Sequence, residues 1–322
     1  MAESVGDLGE LALVERIIAA VGAPARRASV ILGPGDDAAV LAAPDERVVV
    51  TTDVLVEGRH FRRDWSSAED VGVKAAAENL ADIAAMGAQP TGLVVGLAMP
   101  PETEVAWVDG LLAGLVSESK RAGAALVGGD VVRADTVFLS VTALGDLQGR
   151  PPVLRSGAKA GDVVAVSGRL GCAAAGLAVL SRGFRSPRAL VDAHRRPEPD
   201  YAAGIRAAES GAHALMDVSD GLLIDAGRMA RASGVDIDID ADVIPMDEVL
   251  LTTASAYNLD PLLWILGGGD DHAMLATFPR GRDLPAGFAA VGVVAKATGD
   301  GPTVTVDGKK PSQVAGFEHF RS

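Results

Sequence analysis

Near the start of the chain, apolar positions recur at helical spacing: Leu11, Val14, Ile17 and Ile18 fall on one face of a helix predicted over residues 8–21. Residues 38–42 and the β-branched run 48–52 flank Pro44-Asp45-Glu46, a pattern that predicts a strand hairpin. Residues 67–86 are alanine-rich from Lys74 onward and stop at Gly87 and Pro90, which predicts a helix. A strand over 91–98, a helix over 104–121 closed by Gly123, and strands over 124–127 and 137–144 complete an α/β unit. Gly149-Arg150-Pro151-Pro152 then combines turn chemistry with a break in periodicity, placing a junction between domains 1–149 and 150–322. In the second α/β domain, strands are expected over 163–167, 214–218, 235–239 and 273–278 with helices between them, one over 222–232. The span 186–200, with Arg195-Arg196-Pro197 and Pro199, reads as a loop.

Composition narrows this picture. The 322 residues are 48% hydrophobic but only 4% aromatic, so the core must be built from Ala, Val, Leu and Ile. A net charge of −14 disfavours nucleic acid and anionic membrane surfaces, both of which call for the opposite field. No apolar run approaches the ~20 uncharged residues of a membrane span, and the acidic N-terminal stretch is unlike a secretory leader. Cys172 is the single cysteine, which excludes an intramolecular disulfide and a cysteine-based zinc site and fits a cytoplasmic location.

The chemistry lies in short acidic clusters beside Gly and Thr. Gly33-Pro34-Gly35-Asp36-Asp37-Ala38 matches the dinucleotide pattern G-x-G-x-x-A, with Asp53 near the offset of a ribose-binding acid. That pattern needs a helix straight after the glycines to receive a pyrophosphate, yet Pro44 arrives before ~10 residues of helix can form. Asp36 and Asp37 are therefore read as cation ligands. In Thr51-Thr52-Asp53, strand alternation sets Thr51 and Asp53 on one face, facing the Asp36-Asp37 loop across the hairpin; alone, the triplet fits a self-satisfied strand-end turn equally well. Glu78, Asn79 and Asp82 share a helix face, and apolar residues flank Asp82. Gly128-Gly129-Asp130 and Asp217-Val218-Ser219-Asp220-Gly221 place acids at strand ends, where α/β crevices lie, although Ser219 or Asp220 also suits a helix N-cap. Gly267-Gly268-Gly269-Asp270-Asp271-His272 is costly to order without a role. The basic candidates are Arg155 and His60. Together the clusters describe a site for several divalent cations that in turn bind polyphosphate. The chain has neither a P-loop nor a protein-kinase signature.

Read in order, GPGDDAAV (33–40), TTDVLVEGRHF (51–61), KAAAENLADIAAMGAQP (74–90), VGGD (127–130), RSGAKAGD (155–162), DVSDGL (217–222), GGDDHAML (268–275) and GFEHF (316–320) resemble the thiamine-monophosphate kinase family, within the aminoimidazole-ribonucleotide-synthetase-like superfamily. The resemblance implies a homodimer of two-domain α/β (α+β) subunits. Mixed-sheet N-terminal domains would pair through their sheets, and the C-terminal α/β domain would complete the ATP and substrate site. It implies transfer of the ATP γ-phosphoryl group to thiamine monophosphate without a phosphoenzyme or side-chain nucleophile. Asp37, Thr51, Thr52, Asp53, Asp82, Asp130, Asp217 and Asp220 would hold Mg2+; Gly129, Asp130, Arg155 and Ser219 would meet ATP; His60, Asp270 and Phe317 would meet the thiamine phosphate. Two positions depart from the family pattern: Asp270 stands where Glu is usual, and Phe317 where Trp or Tyr is usual. Rival readings are another ATP-using enzyme of the superfamily with a different acceptor, and a non-catalytic nucleotide-binding member.

Overall fold

The computed structural model describes residues 3–22, 27–35, 38–299 and 301–311. The chain forms two compact units, Met1–Ile83 with Ala88–Gly149, and Ala84–Gly87 with Arg150–Ser322.

In the first unit, Ser4 caps α1 (Val5–Leu8) in a capping box with Asp7. Gly9, at φ 82°, separates it from α2 (Glu10–Gly22), which is the helix expected over 8–21 begun two residues later, with α1 ahead of it. Strands β1 (Val30–Leu32) and β2 (Val40–Leu41) form a two-stranded sheet of their own. They are followed by β3 (Val49–Val56), α3 (Ala68–Ala85), β4 (Gln89–Met99), α4 (Val105–Ala122), β5 (Ala125–Arg133) and β6 (Phe138–Asp146). The sheet order is β3-β6-β4-β5; β4 and β5 run parallel and the other neighbours antiparallel, giving a mixed sheet.

The hairpin expected of residues 38–42 and 48–52 is absent. β2 pairs with β1, while β3 pairs with β6 from Val49↔Gly145 to Val56↔Phe138. A two-residue strand satisfies few of the backbone groups of an eight-residue one, and the distant β6 satisfies them along its length. Two further expectations change: Thr51-Thr52-Asp53 lies inside β3, and β5 continues through Gly128-Gly129-Asp130 to Arg133.

The sheet of this unit has two unlike faces. Leu55, Leu93, Val95, Leu97, Leu139 and Val141 on the strands are buried, as are Leu80, Ile83, Leu111 and Leu115 on the helices. α3 and α4 cross at glycines: a Cβ on Gly72 would lie 2.1 Å from the Leu111 carbonyl oxygen, and one on Gly114 2.2 Å from that of Glu69. By strand alternation Val50 and Val54 point to the other face, and both are exposed, as are Val94 and Val132.

The second unit contains β7 (Val163–Ser167), α5 (Cys172–Ser181), α6 (Arg188–Arg195), α7 (Tyr201–Glu209), β8 (Ala214–Val218), α8 (Leu222–Ser233) and β9 (Val235–Ile239). After a 3-10 turn (Ala241–Val243) come α9 (Glu248–Ala256), α10 (Leu262–Gly267), β10 (Ala273–Phe278), β11 (Phe288–Lys296) and β12 (Val304–Val306). The sheet order is β12-β9-β11-β7-β10-β8, antiparallel except for β12 beside β9. The four strands expected here are present, but the loop expected over 186–200 contains α6. Its Leu190, Val191, Ala193 and His194 are buried, and Gly176 lets α5 approach until a Cβ there would stand 2.0 Å from the Leu190 carbonyl oxygen. Packing thus outweighs the flanking prolines. The edge strand β12 is tied to β9 by side chains: Asp236 accepts from the Thr303 backbone and hydroxyl, and Asp238 accepts from the Thr305 hydroxyl.

Candidate active site

In the first unit, β3 and α3 meet through polar side chains. The Thr51 hydroxyl donates to Asp82 Oδ2 at 2.7 Å, and the Asp53 backbone N–H donates to Asn79 Oδ1 at 2.9 Å. Asn79 is fully buried and donates its amide to the Ala75 carbonyl, so it holds the backbone that presents Asp53. Thr52 points to the opposite face, where its hydroxyl donates to the Val141 carbonyl at 2.9 Å and accepts from Thr142 at 3.2 Å. Asp130 is in register with Gly96, which in turn faces Ser140, and one Asp130 carboxylate oxygen accepts from the Val131 N–H at 2.9 Å. Gly129 allows β5 a close approach to β4, since a Cβ there would come 2.1 Å from the Val95 carbonyl oxygen. His60 accepts the Val56 N–H at Nδ1, 2.9 Å away, which in the neutral ring puts the proton on Nε2.

In the second unit, the turn after β8 lies against the loop before β10. The Asp270 N–H donates to the Ser219 carbonyl, the His272 N–H donates to the Val218 carbonyl, and a Cβ on Gly269 would meet the Ser219 carbonyl oxygen at 2.1 Å. That contact explains Gly269, while Gly268 is held to glycine elsewhere, since a Cβ there would come 2.3 Å from the Trp264 carbonyl oxygen. Asp270 and His272 hold positive φ values of 69° and 52°, a strained geometry of the kind that collects at functional sites. Asp217 is buried, and its Oδ2 lies 3.0 Å from His272 Nδ1.

Neither Ser219 nor Asp220 caps α8 through its side chain. Gly221 occupies the N-cap position, and Asp225 folds back to accept the Asp220 N–H at 3.0 Å. Burial, with the Asp217 charge nearby, pushes the Asp225 carboxyl up to about 6 against the pull of the Asp220 N–H. Asp271 accepts the Ala173 N–H at 2.9 Å, at the start of α5, while its buried Oδ2 has no partner among the described residues. Burial, reinforced by Asp270, pushes the Asp271 carboxyl up to about 7. Arg155 is exposed in the segment before β7, where its carbonyl accepts from the Ser233 hydroxyl at 2.9 Å.

Thus Thr51, Asp53 and Asp82 come together; Thr52 and Asp130 stand on the other face of their sheet; and Asp217, Ser219, Asp220 and Asp270 gather where two loops meet in the second unit. Asp37 and Phe317 lie outside the described residues. Sequence reasoning named Asn79 and His272 within its clusters without a holding role, and it left out Asp225, which accepts the Asp220 N–H, and Arg228, which donates to Asp225. Among these, only Asn79, one turn before Asp82, carries a periodic signal.

Residues 35–147 match the family described as AIR synthase related protein, N-terminal domain, and residues 159–285 match its C-terminal domain counterpart. A thiamine-monophosphate kinase of Mycobacterium tuberculosis is 48% identical over 315 residues, covering 97% of this chain and 92% of its own. The chain belongs to the thiamine-monophosphate kinase family. The crystal structure of a family member from Aquifex aeolicus superposes with a TM-score of 0.77 at 32% identity, covering 97% of this chain and 100% of its own. AaThiL complexed with AMPPCP and TMP superposes with a TM-score of 0.80 at 32% identity, covering 99% and 100%. As a member of this kinase family, the chain is an enzyme of ATP-dependent phosphoryl transfer.

Proposed function

We propose that this enzyme transfers the γ-phosphoryl group of ATP directly to thiamine monophosphate, giving thiamine diphosphate and ADP with the help of several Mg2+ ions. The observation that carries the reading is the donor set. The side-chain donors assigned to cations are all carboxylates and hydroxyls, hard oxygen ligands that suit Mg2+, and they fall on the motifs shared with a family whose member AaThiL is complexed with AMPPCP and TMP.

Asp37, Thr51, Thr52, Asp53, Asp82, Asp130, Asp217 and Asp220 would hold the ions, with Asn79 and His272 fixing Asp53 and Asp217. When bound, Mg2+ neutralises charge on the phosphates. Gly129, with no side chain between strand and ligand, Arg155 and Ser219 would receive ATP. His60, with its proton on Nε2, would donate to the acceptor phosphate, and Asp270 and Phe317 would supply further substrate contacts. An acceptor phosphate with a second pKa of about 6 is already a nucleophile near neutral pH, so the reaction asks for positioning and not for a strong base.

The exposed apolar positions Val50, Val54, Val94 and Val132 of the first unit's sheet support a homodimer that pairs these faces. No helix among the described residues is long and apolar enough to cross a membrane, and the single cysteine, Cys172, is buried and reduced, in keeping with a cytoplasmic enzyme. The test is formation of thiamine diphosphate from thiamine monophosphate and ATP, with and without Mg2+, and with free thiamine as the control acceptor. Mg2+-dependent product from the monophosphate alone is expected. ATP binding without product would overturn the acceptor assignment.

A further inference from the structure

Asp220 is held by two residues to which the catalytic reading gives no role. Arg228 Nη2 lies 2.6 Å from Asp220 Oδ2, and Arg228 Nη1 donates to Asp225 Oδ1 at 2.7 Å. Asp225 Oδ2 accepts the Asp220 N–H at 3.0 Å. The three residues form a closed ring in which Asp225, fully buried, fixes the backbone of Asp220 while Arg228 fixes its carboxylate. All three lie on α8 or the turn that leads into it, so the helix sets the spacing.

A buried carboxylate at this place has a cost in desolvation, which the guanidinium and the amide offset. Capping α8 does not require it, because a serine or asparagine at the N-cap would satisfy an amide without burying a charge. What the ring adds is direction. A planar guanidinium donates along two fixed lines, one to an anchor that cannot move and one to Asp220. Asp220 has the glycine Gly221 on one side and the Ser219 turn on the other, and without the ring its side chain would sample several rotamers.

We infer that Arg228 and Asp225 are positioning residues for the cation site at Asp220: they hold its carboxylate in one orientation before a divalent ion arrives and thereby set how much Mg2+ the enzyme needs to bind nucleotide. The inference rests on the reading of Asp220 as a Mg2+ ligand. The guanidinium also brings a positive charge near the ion, which opposes binding. Arg228 is more than a third exposed, so solvent screens that repulsion, and the gain from orientation outweighs it.

The experiment measures binding of AMPPCP to the full-length protein by calorimetry as Mg2+ is titrated, and compares wild type with R228M, R228K and the double variant D225N/R228M. The double variant leaves no buried charge unpaired and guards against a folding failure, which circular dichroism and thermal melting check. R228M and D225N/R228M are expected to raise the Mg2+ midpoint about 10-fold, as loss of a residue that orients a metal ligand does. R228K keeps the charge but loses one of the two donors, and it is expected to raise the midpoint as well. A midpoint within twofold of wild type in the folded variants would overturn the inference while leaving the cation site standing. So would a lowered midpoint in R228M beside an unchanged one in R228K, since charge alone would then be acting. Wild-type AMPPCP binding that ignores Mg2+ would overturn the site reading and this inference together.

Discussion

In the first unit Asp53 and Asp130 stand on opposite faces of a sheet with their side chains exposed, and the buried neutral amide of Asn79 accepts the Asp53 N–H. In the second unit Asp217 is 6% exposed and rests on His272, while Asp220 sits in a ring with Arg228 and the buried Asp225. Exposed acids stay charged at little cost, and water orients them as readily as protein does. Buried acids must be given partners or they take up protons. The difference teaches that the same residue type, exposed within strands in one unit and set in a turn with buried partners in the other, meets water in the first and fixed protein groups in the second.

The largest expected effect removes charge from the exposed set. Asp53→Asn is expected to lower kcat by about 100-fold or more, as loss of a group that stabilises transferring charge does, with circular dichroism and melting unchanged. Near-normal turnover in the folded variant would break the comparison by showing that the exposed acids are bystanders. Next comes the close packing of α4 on α3. Gly114→Ala would push a methyl against the Glu69 carbonyl oxygen, and a loss of about 3 kcal/mol in chemical denaturation is expected.

A third variant tests the open face. Val54→Lys places like charges across the proposed pairing of sheets and is expected to weaken the dimer roughly 100-fold in sedimentation equilibrium. An unchanged dimer would remove this face from the interface.

The smaller effects lie in the buried set. Asp271 has a folded pKa of about 7, above the usual carboxylate value of 3.8, so the folded state binds its proton more tightly than the unfolded state. Its contribution to stability is therefore complete below about pH 4 and is lost as pH rises toward 7. Asp271→Asn removes that loss, and its melting temperature relative to wild type is expected to climb across this window; a flat difference would show that Asp271 ionises without penalty. The smallest effect belongs to the surface. Arg16→Ala breaks an exposed ion pair with Asp109, and no shift in melting temperature is expected.

Most regular elements were legible from the chain. Residues 67–86 and 104–121 carry helical composition and clear stops, and α3 and α4 follow them within a residue or two. The partner of β3 was not legible, because a strand's pattern states which face is buried but not which strand lies beside it. Helix α6 was hidden by its prolines, and β12 by its length of three residues. At the candidate site, periodicity sets Thr51 and Asp53 on one strand face, whereas the bond from Thr51 to Asp82 appears only in the fold. Asp225 and Arg228 gave no signal, since an acid and a base three apart on a helix read as an ordinary surface pair.

The sequence by itself determined the chemistry available to this protein: acids beside Gly and Thr in a fixed order, one cysteine, a strongly negative charge, and motifs that place it among the thiamine-monophosphate kinases. These are properties of residue type and order, which no fold alters. The tertiary structure alone decided that β3 pairs with β6, that Gly269 must be glycine because the Ser219 carbonyl lies against it, and that a buried aspartate holds Asp220. Each depends on a contact between segments far apart in the chain or on the depth of burial, and local pattern carries no information about either.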